Sequence, residues 1–269
     1  MSESVISLKG IKKSYGPHNV LTDVNLEINK GDIFGLVGKN GAGKTTLFKV
    51  ILGLSPYQGG TIELCGNGKN LQAGRKKIGV LIGANYFNYL NARQNLEYYR
   101  ILKGVKDKSE IDRVLKIVGL DQVKKPVKAY SMGMKQRLGI ANALLGMPEI
   151  LIFDEPTNGL DPQGIADIRE LVQKLNQEYG MTVIISSHIL GELQHTAHRF
   201  GIVNNGTVPR VISQEDLLSD QKAVRIRVDD LERARKALND AGIKILNEVQ
   251  ESLNLEDFYF NLVGGEKNA

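Results

Sequence analysis

The sequence predicts a layered α/β domain: a parallel central sheet, an antiparallel edge on its N-terminal side, a helical insertion, and a small α+β appendage at the C-terminal end. Three observations carry this. Short apolar runs alternate with stretches of helical period from Val5 to Val203, the pattern of strand–helix layering. A glycine-rich turn joins one apolar run to one helical stretch near residue 40. After residue 221 the pattern starts afresh, which sets expected domains of 1–221 and 222–269, with the helical insertion at about 85–145.

Val5 to Leu8 is short and apolar, and Leu21 to Ile28 alternates apolar with polar residues as a half-buried strand does, so the two form the antiparallel edge. Asp32 to Val37 reads as a buried strand, and Thr45 to Leu54 as a helix with Leu47, Val50, Ile51 and Leu54 on one side. Ile78 to Ile82 is a further strand. Helices follow at Arg93–Leu102, Ser109–Val118 (stopped by Gly119) and Ser131–Leu145. Pro148 ends that helical stretch, and the apolar run Ile150–Phe153 suits a central parallel strand. Gln163–Tyr179 is helical, Thr182–Ser186 a buried strand, Leu190–Ala197 helical, and Phe200–Val203 the final strand of the set. The appendage opens on an alternating strand, Val224–Val228, then a helix at Leu231–Leu238, the segment Ile243–Val249 and an acidic-aromatic end, Leu255 to Phe260.

Composition narrows the function. The chain has 269 residues, of which 42% are hydrophobic and 24% charged, enough for a sizeable core in a globular protein. Cys65 is the only cysteine, so no internal disulfide or zinc cluster is available, in keeping with a reducing compartment. No signal-peptide pattern is visible, and no run approaches the roughly 20 apolar residues of a membrane span. The net charge of +5 reads as a solvated surface, because the compact basic cluster Arg75-Lys76-Lys77 is too short to mark a nucleic-acid site.

Gly38-Lys39-Asn40-Gly41-Ala42-Gly43-Lys44-Thr45-Thr46 fits the phosphate-loop pattern in full, with a strand entering and a helix leaving. Glycines let successive N–H groups turn toward phosphate oxygens, and the helix adds its positive end. Lys44 supplies a charge for the β and γ phosphates and Thr45 a hydroxyl for Mg²⁺. Ile150-Leu151-Ile152-Phe153-Asp154-Glu155 is an apolar strand ending in two carboxylates. Asp154 is placed to hold Mg²⁺, and Glu155 to orient or deprotonate a water at the γ-phosphate.

Tyr130-Ser131-Met132-Gly133-Met134-Lys135-Gln136-Arg137 precedes that strand and resembles the signature motif of the ATP-binding cassette family. Ser131 and Gly133 match the usual Leu-Ser-Gly-Gly-Gln, while Tyr130, Met132 and Met134 depart from it. Further elements follow in the family's order. Asn158-Gly159-Leu160-Asp161 is similar to the dimer-contacting loop, Ser187-His188 resembles the switch histidine, and Tyr15 matches the aromatic residue that stacks on adenine. His195 and His198 read as structural. The resemblance covers about residues 4–215 and implies a phosphate-loop NTPase fold with a RecA-like parallel core. It implies ATP and Mg²⁺ as ligands, with Lys44, Glu155 and His188 catalytic. Tyr15, residues 38–46, Ser131 and Gly133 in trans, and Asp161 of the dimer loop would contact or border ATP.

The same resemblance implies partners: a membrane permease on a separate chain and a second nucleotide-binding subunit, with no nucleic acid. The protein is expected to be cytoplasmic, peripheral on the inner face of the cell membrane. The signature and the Leu255-Glu256-Asp257-Phe258 ending look like the bacitracin-resistance and lantibiotic-immunity exporters, which implies export of an antimicrobial peptide, drug or lipid-linked compound. A cassette ATPase of DNA maintenance or of the ribosome is the alternative, as is a regulatory cassette with weak hydrolysis. The gap between Lys44 and Ser131 is too short for the coiled-coil insertion of DNA-repair members. One departure stands out. At Gly83 the family carries Gln or Glu, and Asn85 is the nearby side chain that could replace it.

Overall fold

The computed structural model describes residues 3–66, 68, 70–83, 86–214, 216, 228 and 230–243. The chain divides into two compact units, 1–218 and 219–269. In the first, the described strands form one sheet. They are β1 (Ser4–Tyr15), β2 (His18–Asn29), β3 (Ile33–Val37), β4 (Gly59–Leu64), β5 (Ile78–Leu81), β6 (Ile150–Asp154), β7 (Thr182–Ser187), β8 (Arg199–Asn204) and β9 (Thr207–Ser213). Their order is β4-β1-β2-β9-β8-β3-β7-β6-β5. β8, β3, β7, β6 and β5 pair in parallel, while β4, β1 and β2 pair antiparallel as the N-terminal edge.

The alternation of side chains along the parallel strands divides the core. Ile33 and Val37 of β3, with Leu151 and Phe153 of β6, face one cluster. Phe34 and Leu36, with Ile150 and Ile152, face the other, as the two-residue period of a strand requires. The second face is covered by α1 (Lys44–Ile51), through Leu47, Phe48, Val50 and Ile51, and by the antiparallel edge. The first is covered by α5 (Met132–Leu144), α6 (Pro162–Gln177) and α7 (Leu190–Gln194), with the insertion helices α3 (Ala92–Leu102) and α4 (Ser109–Ile117) behind α5. A short α2 (Leu71–Arg75) follows β4.

Several expectations change in extent. β1 runs through to Tyr15 because its exposed positions alternate with Ile11 and Lys13, both buried between β2 and β4. Helix α1 stops at Ile51, and Leu54, expected on its apolar side, is 69% exposed beyond the left-handed Gly53. The helix expected to reach Ala197 ends at Gln194. β8 is not the last strand of the first unit, because β9 returns antiparallel beside it. β4, β9 and α2 had no counterpart in the sequence reading. In the second unit a helix spans Leu231–Asp240, capped by Asp230 on the Arg233 N–H. The expected strand at 224–228 and the segments 243–249 and 255–260 lie wholly or mainly outside the described residues.

One close approach fixes how the insertion meets the sheet. Tyr86 donates its hydroxyl to the Lys135 carbonyl of α5 at 2.6 Å. A Cβ on Gly139 would lie 2.6 Å from that hydroxyl and 2.5 Å from Leu81 Cδ1. Burial raises the Tyr86 phenol pKa well above its ordinary value. Gly139→Ala is therefore expected to destabilise the domain by about 1–3 kcal/mol, the usual cost of overpacking. Urea unfolding checks this, and an unchanged midpoint would show that the notch is loose.

Candidate active site

β3, β7 and β6 are consecutive neighbours in the parallel part of the sheet, so the loops leaving their carboxyl ends open onto one place. From β3 comes the phosphate loop, from β6 Glu155, and from β7 His188.

The phosphate loop is shaped by backbone that side chains would obstruct. Gly41 and Gly43 have φ of 80° and 106°, values that glycine adopts without a steric cost. A Cβ on Gly38 would meet the Val203 carbonyl at 2.8 Å. Lys39, Asn40 and Gly41 are exposed, and the Ala42 N–H closes a turn on the Lys39 carbonyl at 3.1 Å. Gly43 begins α1 with no side-chain cap. The first N–H groups of α1 are therefore free of a capping side chain and suited to an anion. Lys44 is 4% exposed. Its Nζ donates to the carbonyls of Gly38 at 2.6 Å and Lys39 at 3.3 Å and lies 3.3 Å from Glu155 Oε1.

Thr45 Oγ1 donates to Asp154 Oδ2 at 2.6 Å. His188 Nδ1 is 3.4 Å from Glu155 Oε2. Lys44, Thr45, Asp154, Glu155 and His188 are thus one constellation. Glu155 itself has φ of 49°, left-handed backbone that costs a non-glycine residue about 1–3 kcal/mol unless its surroundings hold it.

Tyr15 ends β1 with its ring about half exposed, its hydroxyl 3.2 Å from Ser55 Oγ, and Lys13 Nζ 4.4 Å from the ring centroid. The Ser55 hydrogen bond lowers the phenol pKa, the Lys13 charge assists, and the Thr46 hydroxyl also contributes. Ser131, Gly133 and Asp161 are engaged elsewhere. Ser131 caps α5 by accepting from the Met134 N–H at 3.3 Å, and Gly133 lies in the first turn of that helix. Asp161 caps α6 by accepting from the Gly164 N–H at 2.9 Å. Met132 beside Ser131 is 52% exposed. His195 and His198 are exposed; the His198 N–H donates to the Ile33 carbonyl and the His195 carbonyl accepts from Gln173. Gly83 has φ of 58°, and none of the described residues comes within 4 Å of where its Cβ would lie. Asn85 lies outside the described residues.

The sequence does not single out Ser186 or Glu192. Ser186 sits between Asp154 and Glu155. Glu192 of α7 accepts from Thr157 Oγ1 at 2.7 Å and Ser187 Oγ at 3.2 Å, tying the loop after Glu155 to the strand end before His188. The Ser187 carbonyl in turn accepts from the Gly38 N–H at 3.4 Å. Beside Glu192 lies a cavity of about 20 Å³, room for one water, also lined by Arg169, whose buried Nε has no hydrogen-bond partner among the described residues. For Ser186, a polar residue at the end of an apolar strand was the available signal; Glu192, on a helix, had none.

A phosphate loop beside a strand-end carboxylate pair, with a histidine one strand away, defines an ATP-hydrolysing nucleotide-binding domain. The family model described as "ABC transporter" matches residues 21–158, just over half of the chain. The bacitracin transport ATP-binding protein BcrA of Bacillus licheniformis is 37% identical, the match covering 97% of this chain and 98% of that protein. The lantibiotic transport ATP-binding protein SrtF of Streptococcus pyogenes is 41% identical over 76% of this chain and 89% of its own length. Among solved structures, the ATP-binding cassette MJ0796, a dimer bound to ADP and Pi, matches with a TM-score of 0.67 and 28% identity over 78% of this chain and 98% of that one. The chain belongs to the ABC transporter family and is an ATP-binding, ATP-hydrolysing subunit of such a transporter.

Proposed function

We propose that this subunit powers export of an antimicrobial peptide, or of a drug or lipid-linked compound of similar character, through a permease on a separate chain. The carrying observation is the convergence of Lys44, Glu155 and His188 at one strand-end site, joined to near full-length likeness to BcrA. No described helix is long and apolar enough to cross a membrane. Tyr89, Tyr98, Ile101 and Leu102, between 49% and 74% exposed on α3 and the loop before it, offer an apolar surface for contact with that permease.

In this mechanism the phosphate loop and Lys44 bind the β and γ phosphates, and Tyr15 stacks on adenine. Thr45 and Asp154 bring a hydroxyl and a carboxylate oxygen within 2.6 Å of each other, hard oxygen donors that fit Mg²⁺. No group of three or more His, Cys, Asp or Glu among the described residues could hold a metal by itself; Mg²⁺ sites of this kind rely on phosphate oxygens and water as well. Thr45 and Asp154 would hold Mg²⁺, which when bound would supply positive charge to offset that of the phosphates. Glu155 orients the attacking water and takes its proton, while His188 contacts the γ-phosphate and keeps Glu155 in place. Ser131 and Gly133, at an exposed helix start, reach the ATP of a second copy, and Asp161 belongs to the loop facing it. Two copies then complete two sites with two-fold symmetry.

Export is tested by expressing the chain with its permease in a susceptible host. Bacitracin or lantibiotic tolerance should rise and should vanish with Glu155→Gln. Unaltered susceptibility, with the protein co-sedimenting with ribosomes, would overturn the reading.

Gly83 bears on rate. Without a side chain it cannot help hold Mg²⁺ or the attacking water, so turnover is expected to be slow. No described side chain or backbone obstructs a side chain there, and the left-handed φ costs about 1–3 kcal/mol. A positioned polar group at a charged transition state contributes about 2.7–4 kcal/mol, which matches or exceeds that cost. At least one of Gly83→Gln and Gly83→Glu should therefore speed steady-state hydrolysis. If both slow it and Asn85→Ala is nearly inactive, Asn85 has taken over the role.

A further inference from the structure

We infer that Ser186 is a positioning residue that locks the metal-binding carboxylate and the catalytic base into one unit. The inference rests on the roles given above to Asp154 and Glu155. Ser186 lies on β7, in register with Asp154 of β6, and is 0% exposed. Its hydroxyl donates its one proton to Asp154 Oδ1 at 2.6 Å. The same oxygen accepts the Glu155 N–H at 2.9 Å. Both of its hydrogen-bonding capacities therefore go to the two neighbouring acids.

Two consequences follow. Asp154 carries a different donor on each oxygen, Ser186 on Oδ1 and Thr45 on Oδ2. Ser186 thereby fixes the plane of the carboxylate and leaves Oδ2, the oxygen beside Thr45, as the one that would hold the metal. Second, the left-handed backbone at Glu155 needs an acceptor for its N–H in an interior position. Ser186 supplies it and so sets the direction in which the base leaves the strand. Neither phosphate loop nor carboxylate motif contains this residue.

The test uses the full chain with three variants: Ser186→Ala, Ser186→Thr and, as a control on the metal assignment, Asp154→Asn. Mn²⁺ binding to the ATP complex is followed by electron paramagnetic resonance, alongside ATP binding in EDTA, thermal unfolding and steady-state hydrolysis. Ser186→Ala is expected to keep ATP affinity in EDTA within about twofold, and to lose roughly 10- to 100-fold in Mn²⁺ affinity and in kcat, the scale of a lost hydrogen bond to a charged group. Ser186→Thr, which keeps the hydroxyl, should recover most of both. Wild-type Mn²⁺ binding and kcat in Ser186→Ala would overturn the inference. So would an equal loss of metal-free ATP affinity, which marks a general structural defect. If Asp154→Asn lowers Mn²⁺ affinity and Ser186→Ala does not, the inference alone fails. If Asp154→Asn leaves it unchanged, the metal assignment fails and the inference falls with it.

Discussion

Glu155→Gln is expected to lower hydrolysis by about 10²- to 10⁴-fold, the usual cost of removing a general base, while ATP binding persists. The substitution is close to isosteric, so the backbone hydrogen bond from the residue 155 N–H to Ser186 can remain. What disappears is the negative charge that Lys44 and His188 approach at 3.3 Å and 3.4 Å, and with it the proton acceptor. If closure precedes cleavage, the variant should accumulate as an ATP-bound dimer. Phosphate release measures the first effect, and gel filtration with ATP the second. Wild-type turnover would remove Glu155 from its assigned role.

Ser131→Arg is expected to abolish ATP-dependent dimers while leaving nucleotide binding by the monomer intact. The reason is geometric. Ser131 is exposed at the start of α5 and makes no direct hydrogen bond to the Lys44–Glu155–His188 group in its own chain; its hydroxyl caps the Met134 N–H. A long cation there blocks close approach of a second copy. Losing the cap itself costs about 0.5–2 kcal/mol, so thermal unfolding of the monomer must be measured beside sedimentation with and without ATP. Dimers that still form with ATP would end the reading of Ser131 as acting across an interface.

Both predictions use residues that the sequence exposes by short-range pattern. Glycines at fixed spacing, an apolar run ending in Asp154-Glu155 and a serine opening a helix are local signals, and the structure places these residues at those strand and helix ends. What escaped depends on pairing between distant segments. β4 and β9 are strands because β1 and β8 lie beside them, and little in Gly59–Leu64 or Thr207–Ser213 announces this. Leu54 was placed by helical period, but the helix ends three residues earlier. Ser186 and Glu192 matter through whom they face across the sheet, which periodicity along one strand does not report.

The strand order also has a consequence for how the protein comes into being. β3, which carries the phosphate loop, has no early neighbour in the parallel part of the sheet. Phe34 registers with Ile184 of β7 and Arg199 of β8, so nearly the whole first unit must be synthesised before β3 is paired on either side. Non-local pairing of this kind makes folding slow and leaves apolar strand edges open meanwhile. During translation Ile33-Phe34-Gly35-Leu36-Val37 waits as an apolar strand without its sheet neighbours until residue 187 is available on one edge and residue 204 on the other. That segment is where chaperone demand and aggregation of the nascent chain should concentrate.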